Sequence, residues 1–525
     1  MKIQNMINKY ILIILFWFST FPLAAQNTFN VKTLGANGGK NQLVTTIIQK
    51  AINDCAASGG GMIYFPPGEY LSGAITLRSN VNIHLEAGAT IFASLDMKDY
   101  DIPGKEERYR HPVLLYADSA ENISITGKGT IHGQARRAYL PLESVDGFIK
   151  EETEMARKSG IEMKQYNKVE PFTFLVFLVN CKNISITDVT LFESCNWTLH
   201  LQWCENVKIR GINIYSDLEK GVNADGIDVD GCRNVIVSDC YIETGDDAIV
   251  LKSTLSKGKS QPCENVTVTN CILTSTSTAL KIGTETHSDF RHILFDNCVI
   301  RNSNRGLSIV VRDGAQVSDV KFSNISMELN RKHFNWWGNA DGIWLVVLKR
   351  TETSRVGNIS NITFDNISGD VQGTSRIEGF QGMPLKNIRL NNVHFRMHAE
   401  TKADKRATDG FRAHDVDGLS LTNCSVEWND KVTELKWVSA FAFEKISNLH
   451  LRGLAGKQAP GSGAPAIKLT NISNAIVESC FALAGTGTFL KIIGSETKNI
   501  FLGENYSHLA AEAVETDPQI KKEIK

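Results

Sequence analysis

A short pattern recurs along most of the chain: a polar residue, usually Asn, followed by alternating β-branched or aliphatic residues. It reads Asn122-Ile-Ser-Ile, Asn183-Ile-Ser-Ile, Asn206-Val-Lys-Ile, Asn234-Val-Ile-Val and Asn265-Val-Thr-Val, and it continues to Asn499-Ile-Phe-Leu. Between residues 183 and 319 the steps are 23, 28, 31, 27 and 27; later steps are 42, 26, 31, 30, 26 and 25. Alternation with period two marks short strands rather than helix. A unit of this size cannot bury a face alone, but stacked copies bury one continuous core and pair each strand with the turn above and below. The spacing is too short for propeller blades, which repeat at about 40–50 residues. The expected fold is therefore all-β: a right-handed parallel β-helix, a single solenoid. Its 525 residues need no division into compact domains, because each turn packs only on its neighbours.

The register explains the 11 cysteines. Cys181, Cys204, Cys232 and Cys263 each precede the repeat Asn by two residues, and Cys240, Cys271, Cys298, Cys424 and Cys480 follow the repeat's polar position by six. One small apolar residue per turn makes a ladder, so these are expected to be buried, mostly free thiols. Cys55 and Cys195 lie outside the ladders. The Asn-X-Ser/Thr triplets are by-products of the same repeat and are not read as glycosylation sites.

Residues 1–25 read as a signal peptide: Lys2 and Lys9, an apolar run from Ile11 to Phe18, then Leu23-Ala24-Ala25. The run is shorter than the ~20 apolar residues of a membrane span. Residues 26–525 are then the catalytic β-helix, with 26–100 forming the N-terminal cap and first turns. Ile47, Ile48, Ala51, Ile52 and Cys55 have helical spacing, so Thr45 to Ala57 is expected to form a helix capping the open core. The charged stretch 134–170 lacks the repeat and is expected to form a long loop or helix at the rim of the cleft. A formal net charge of −1 gives no support for nucleic acid or an anionic membrane as partner.

Two neighbouring turns carry candidate chemistry: Asn223-Ala-Asp225-Gly-Ile-Asp228 and Gly245-Asp246-Asp247-Ala-Ile249. Setting Ile227 over Ile249 stacks Asp225 beside Asp247, with Asp246 one position away and Asp228 near. Adjacent strands lie about 4.8 Å apart, so three carboxylates converge. Packed like charges raise the pKa of at least one group, which leaves an acid and a base side by side. Such a cluster serves glycoside hydrolysis; it also suits a calcium site or a plain polar turn.

These motifs resemble the polygalacturonase family, glycoside hydrolase family 28, with its Asn-Thr-Asp-Gly-X-Asp motif, then Asp-Asp, Gly-His-Gly and Arg-Ile-Lys. The step from Asp225 to Asp246 is 21 residues, as in the family. The resemblance implies that Asp246 is the general acid, that Asp225 and Asp247 activate the water, and that the anomeric carbon is inverted. Three departures stand out. Ala224 replaces the motif's Thr. Thr278 stands where the family has His. Ser308 and Val310 replace the Arg and Lys that hold a galacturonate carboxylate in the family. A rhamnogalacturonan-type substrate is expected in consequence.

Other substrate-binding candidates are Asn223, Asp228, Lys252, Lys281, Glu285, His287 and Arg305, with Arg291 and Arg312 near in sequence. Trp336 and Trp337, in the longest late step, are candidate sugar platforms. The expected protein is a secreted or periplasmic hydrolase of pectic polysaccharide, monomeric, with no cofactor, no metal and no membrane span after cleavage. A calcium-supported polysaccharide lyase and a non-catalytic carbohydrate-binding solenoid are the alternatives.

Overall fold

The computed structural model describes residues 27–100, 112–141, 147–158, 160, 167–332, 338–402 and 404–525. The signal-peptide region falls outside them. The strands pair in parallel, each with its counterpart in the next turn, to make one continuous coil. This is the parallel β-helix that the repeat predicts.

Register is kept along the face that carries the acidic motifs. Leu199 pairs with Ile227, Ile227 with Ile249, Ile249 with Leu280, Leu280 with Leu307 and Leu307 with Ile343. All six are fully buried. Because side chains alternate across a strand, the intervening positions point outward and line up in columns, one residue per turn. The core is apolar throughout, with Phe295, Phe322 and Phe364 stacked in consecutive turns at 4.8 and 5.0 Å.

The repeat Asn has a structural task. Asn122, Asn183, Asn206, Asn234 and Asn265 all adopt φ between 55° and 59°, left-handed backbone that Asn tolerates better than most residues. Each side-chain amide donates to the Asn one turn earlier, for example Asn265 Nδ2 to Asn234 Oδ1 at 3.0 Å and Asn234 Nδ2 to Asn206 Oδ1 at 3.1 Å.

Helix α1, Thr45–Ala57, covers the N-terminal end and buries Ile48, Ala51, Ile52 and Cys55. Part of the stretch 134–170 forms a second helix, Gly147–Lys158, and an antiparallel pair, Tyr139–Pro141 with Asn167–Val169. Ala135, Ala138 and Val169 pack with Cys195 in a small separate core.

All eleven cysteines are buried and free. Under denaturing, non-reducing conditions we expect a thiol reagent to titrate eleven groups, and almost none in the native protein. Ten oxidised of eleven would instead reveal a disulfide framework.

Candidate active site

The acidic motifs occupy the loops that lead into the strands Ile227–Asp230 and Ile249–Ser253. Two glycines let these loops approach closely. A Cβ on Gly226 would lie 2.4 Å from the Ala248 carbonyl oxygen, and one on Gly245 would lie 2.3 Å from that of Asp217. One carboxylate oxygen from each of Asp225, Asp246 and Asp247 falls within 4.8 Å of the others. All three residues are buried.

Their partners differ. Asp225 Oδ2 accepts from Lys252 Nζ at 3.1 Å. Asp247 accepts from Lys281 Nζ at 2.6 Å, Ser277 Oγ at 2.8 Å and the Thr278 backbone N–H at 3.1 Å. Among the described residues Asp246 accepts only from backbone N–H groups, those of Asn223 at 3.1 Å and Asp247 at 2.9 Å. Among the described residues, Asp246 alone of the three has no cation within salt-bridge distance. The Asp225 Oδ1 atom has no protein hydrogen-bond partner.

The electrostatics follow this division. Burial, then the like charges of Asp225 and Asp247, push Asp246 well above the usual carboxylate range. Burial also works to raise Asp247, but Lys281 and Lys252 outweigh it, and Asp247 stays below the ordinary value. Asp225 is raised by burial, against the pull of Lys252.

Lys252 is the hub on one side. It also contacts Asp228 at 3.2 Å and Glu285 at 3.7 Å, and its ammonium sits 3.8 Å from the Trp197 ring centroid. Asp228 is wholly buried; burial and the Asp225 charge hold its pKa well above normal. Glu285 also faces Arg350 at 3.5 Å. Arg350 in turn binds Asp313 at 2.7 Å, which lies 3.8 Å from His287. Beside Trp197, His200 meets Asp230 at 3.1 Å.

On the other side, Arg305 Nε donates to Asp341 at 2.9 Å, and its guanidinium lies 4.0 Å from the Trp344 ring centroid. Arg376 flanks the same indole at 4.9 Å and binds Asp341 at 3.3 Å. Trp344 Nε1 donates to Glu378 at 2.9 Å.

The structure thus gathers Asn223, Asp225, Asp228, Asp246, Asp247, Lys252, Thr278, Lys281 and Glu285 into one cluster, with His287 three ion-pair steps beyond Glu285 through Arg350 and Asp313, and Arg305 adjoining. Three placements differ from the sequence reading. Arg305 is buried and committed to Asp341 rather than projecting into the cleft. The Thr278 side chain is wholly buried and its hydroxyl has no protein partner. Arg291 pairs with Glu264 at 2.7 Å in a different column of stacked strands, Cys263–Thr269 on Phe290–Asp296. Trp336 and Trp337 lie outside the described residues. Trp197, His200, Asp341, Trp344, Arg350 and Arg376 were missed. Trp344 could have been found by aligning Gly342-Ile343-Trp344 with Gly306-Leu307-Ser308, because Ser308 and Trp344 are register partners.

The oxygens of the three aspartates lie close enough together to hold a cation. The ammonium groups of Lys252 and Lys281 already provide two counter-charges there, so the donor set does not fit a divalent ion.

The model of glycosyl hydrolases family 28 matches residues 55–405, a span that contains both acidic motifs. The chain belongs to glycosyl hydrolase family 28. A probable polygalacturonase of Vitis vinifera is 25% identical over 410 residues, covering 74% of this chain and 77% of that protein. An endo-polygalacturonase of Pectobacterium carotovorum subsp. carotovorum is 25% identical over 368 residues, covering 66% and 83%. Among solved structures, a family 28 exopolygalacturonase of Yersinia enterocolitica superposes with a TM-score of 0.62 at 20% identity, covering 81% of this chain and 79% of that one. The family 28 fold of this chain thus extends well beyond the turns that carry the acidic motifs.

Proposed function

We propose that the protein hydrolyses pectic polysaccharide with inversion, with Asp246 as general acid and Asp225 and Asp247 orienting and deprotonating the attacking water. The observation that carries this reading is the distribution of lysines. Lys281 holds Asp247 in its ionised form and Lys252 opposes the burial that raises Asp225, while Asp246, with no cation within salt-bridge distance, keeps its proton. An acid and a base held apart in protonation state are what glycosidic cleavage requires. The relatives named as polygalacturonases support a galacturonate-containing substrate. After removal of residues 1–25 the enzyme would work in the periplasm or medium, where such polymers are met. No helix among the described residues is long and apolar enough to cross a membrane.

The finer proposal is a preference for rhamnogalacturonan-type backbone over unbranched polygalacturonate. Ser308 and Val310 are both buried and uncharged, so a carboxylate at that subsite would meet no cation from them. The nearest replacement, Lys281, is the register partner of Ser308 but is engaged with Asp247. An unpaired, desolvated carboxylate costs several kcal/mol; a neutral deoxy-sugar carries no such penalty. The test compares kcat/KM on the two polymers and on defined oligosaccharides of each. We expect at least a tenfold preference for the mixed backbone, worth about 1.4 kcal/mol. Higher efficiency on polygalacturonate would refute the preference. Products absorbing in the ultraviolet would indicate elimination instead of hydrolysis.

A further inference from the structure

The outward-facing column that contains Lys281 runs on towards the C-terminus. Its members, paired turn by turn, are Lys281, Ser308, Trp344, Arg376, Arg412, Ala442, Lys468 and Lys491. Four of the last five are cations. Arg376 is bound to Asp341 and Glu378, and Lys491 to Glu515 at 2.6 Å. Arg412 and Lys468 make no ion pair among the described residues. Between them stands Ala442, whose short side chain leaves a notch in the column. A cavity of about 300 Å³ opens there, lined by Arg412, Ala442, Lys468, Asp409, Glu444 and Thr470 among others.

We propose that this notch is a distal binding subsite for an acidic sugar of the polymer, far from the reacting bond. Arg412 and Lys468 are two strands apart, about 10 Å at the ordinary strand spacing. A pyranose carboxylate can sit between them and be met by a guanidinium from one side and an ammonium from the other. Asp409 and Glu444 supply acceptors for ring hydroxyls. Asp409 occupies the position two residues before its core strand residue Phe411, as Asp247 does before Ile249. Its oxygens already accept from the Ser439 N–H at 3.2 Å and the Thr408 hydroxyl at 3.0 Å, so its orientation is set. The notch lies five to seven turns beyond Asp247, roughly 24–34 Å along the coil axis. Only an extended chain lying along the column reaches both places. A mixed pocket of two cations and two carboxylates suits a uronate, which presents one anionic group and several hydroxyls. A neutral glycan would leave both cations unmet.

This subsite rests on the reading of the substrate as an acidic polysaccharide, and the test keeps the two apart. Binding of a galacturonate decasaccharide, a trisaccharide and a methyl-esterified decasaccharide is measured by calorimetry with the wild-type protein, Arg412→Gln/Lys468→Gln, and Ala442→Trp. Hydrolysis of pectic polymers is assayed on the same preparations. The expected result is that each variant weakens decasaccharide binding about tenfold and leaves the trisaccharide unchanged. Esterification should reproduce that loss in the wild type. The filled notch of Ala442→Trp keeps both charges, so a loss there shows that the cavity itself is used. Equal decasaccharide affinity in all three proteins, or no binding by any, would overturn the subsite even if hydrolysis is robust. Length-dependent binding without hydrolysis would uphold the subsite and refute the hydrolase reading.

Discussion

Asp246→Asn should lower turnover on a pectic substrate by about 10²–10⁴-fold, the usual contribution of a positioned proton donor. The fold should survive, because Asp246 makes no ion pair among the described residues and the amide oxygen can still accept one of the two backbone N–H bonds, which come from Asn223 to Oδ2 and from Asp247 to Oδ1. Circular dichroism and thermal melting would check the fold, and initial rates would check the activity. A substrate with a good leaving group should lose far less, since it needs little protonation. Near-normal rates on the natural polymer would remove Asp246 from the mechanism. The wild-type pH profile should follow the same logic. Asp246, raised by burial and like charge, keeps its proton above the ordinary carboxylate range, so activity should persist there and fall as pH rises through its pKa. Asp247, held below its ordinary value with Lys281 as the leading favourable partner, should stay ionised as pH falls. Lys281→Met removes that partner. Asp247 then takes up its proton at a higher pH, and the acidic limb of the profile moves upward.

Lys252→Met should be the most destabilising single change near the cleft. The lysine is buried and pairs with Asp225, itself buried, beside the buried Asp228. Removing one partner of a buried ion pair costs about 3–5 kcal/mol, because the charge left behind has no counter-ion. Thermal unfolding should show a lower Tm, and activity should be lost with it. The double variant Lys252→Met/Asp228→Asn should recover little of the stability, since burial and the Asp225 charge already hold Asp228 towards its neutral form. Activity should stay low, because Asp225 still lacks the cation that opposes the rise in its pKa. If the single variant is as stable as wild type, the buried lysine is not the keystone of this cluster.

The fold was legible in the sequence because one chemical requirement repeats in every turn. An Asn at a left-handed corner and apolar residues at alternate positions mark each coil, and no long-range information is needed to count them. The convergence of Asp225, Asp246 and Asp247 was legible for the same reason: setting Ile227 over Ile249 brings the carboxylates together, and the register agrees. What could not be read was where long side chains end. Lys281 reaches back one turn to Asp247, and Lys252 reaches back one turn to Asp225. A lysine can lie along the surface, enter the cleft or turn inward, and its position in the repeat does not choose among these. Arg305 shows the same limit. Its place in the register suggested a cleft cation, yet Asp341 and the indole of Trp344, both from the following turn, hold it beneath the surface. Asp341 follows the long late insertion, where the regular spacing is lost and counting from the repeat no longer helps.

The amide ladder has a direction. Along a run such as Asn122, Asn183, Asn206 and Asn234, each Asn gives a hydrogen bond towards the N-terminus and receives one from the C-terminal side, so the rungs are polarised head to tail. Such a chain needs a first rung that only receives. Where the run is interrupted at His292, the ladder resumes in the next turn on an aspartate, Asp319, which accepts from Asn361; where Gly418 holds the repeat position, its neighbour Asp417 accepts from Asn448 instead. A carboxylate has no N–H to leave unspent towards the gap behind it. Asp319 at a repeat position, and Asp417 beside one, are therefore terminators, each marking where a new hydrogen-bonded segment begins.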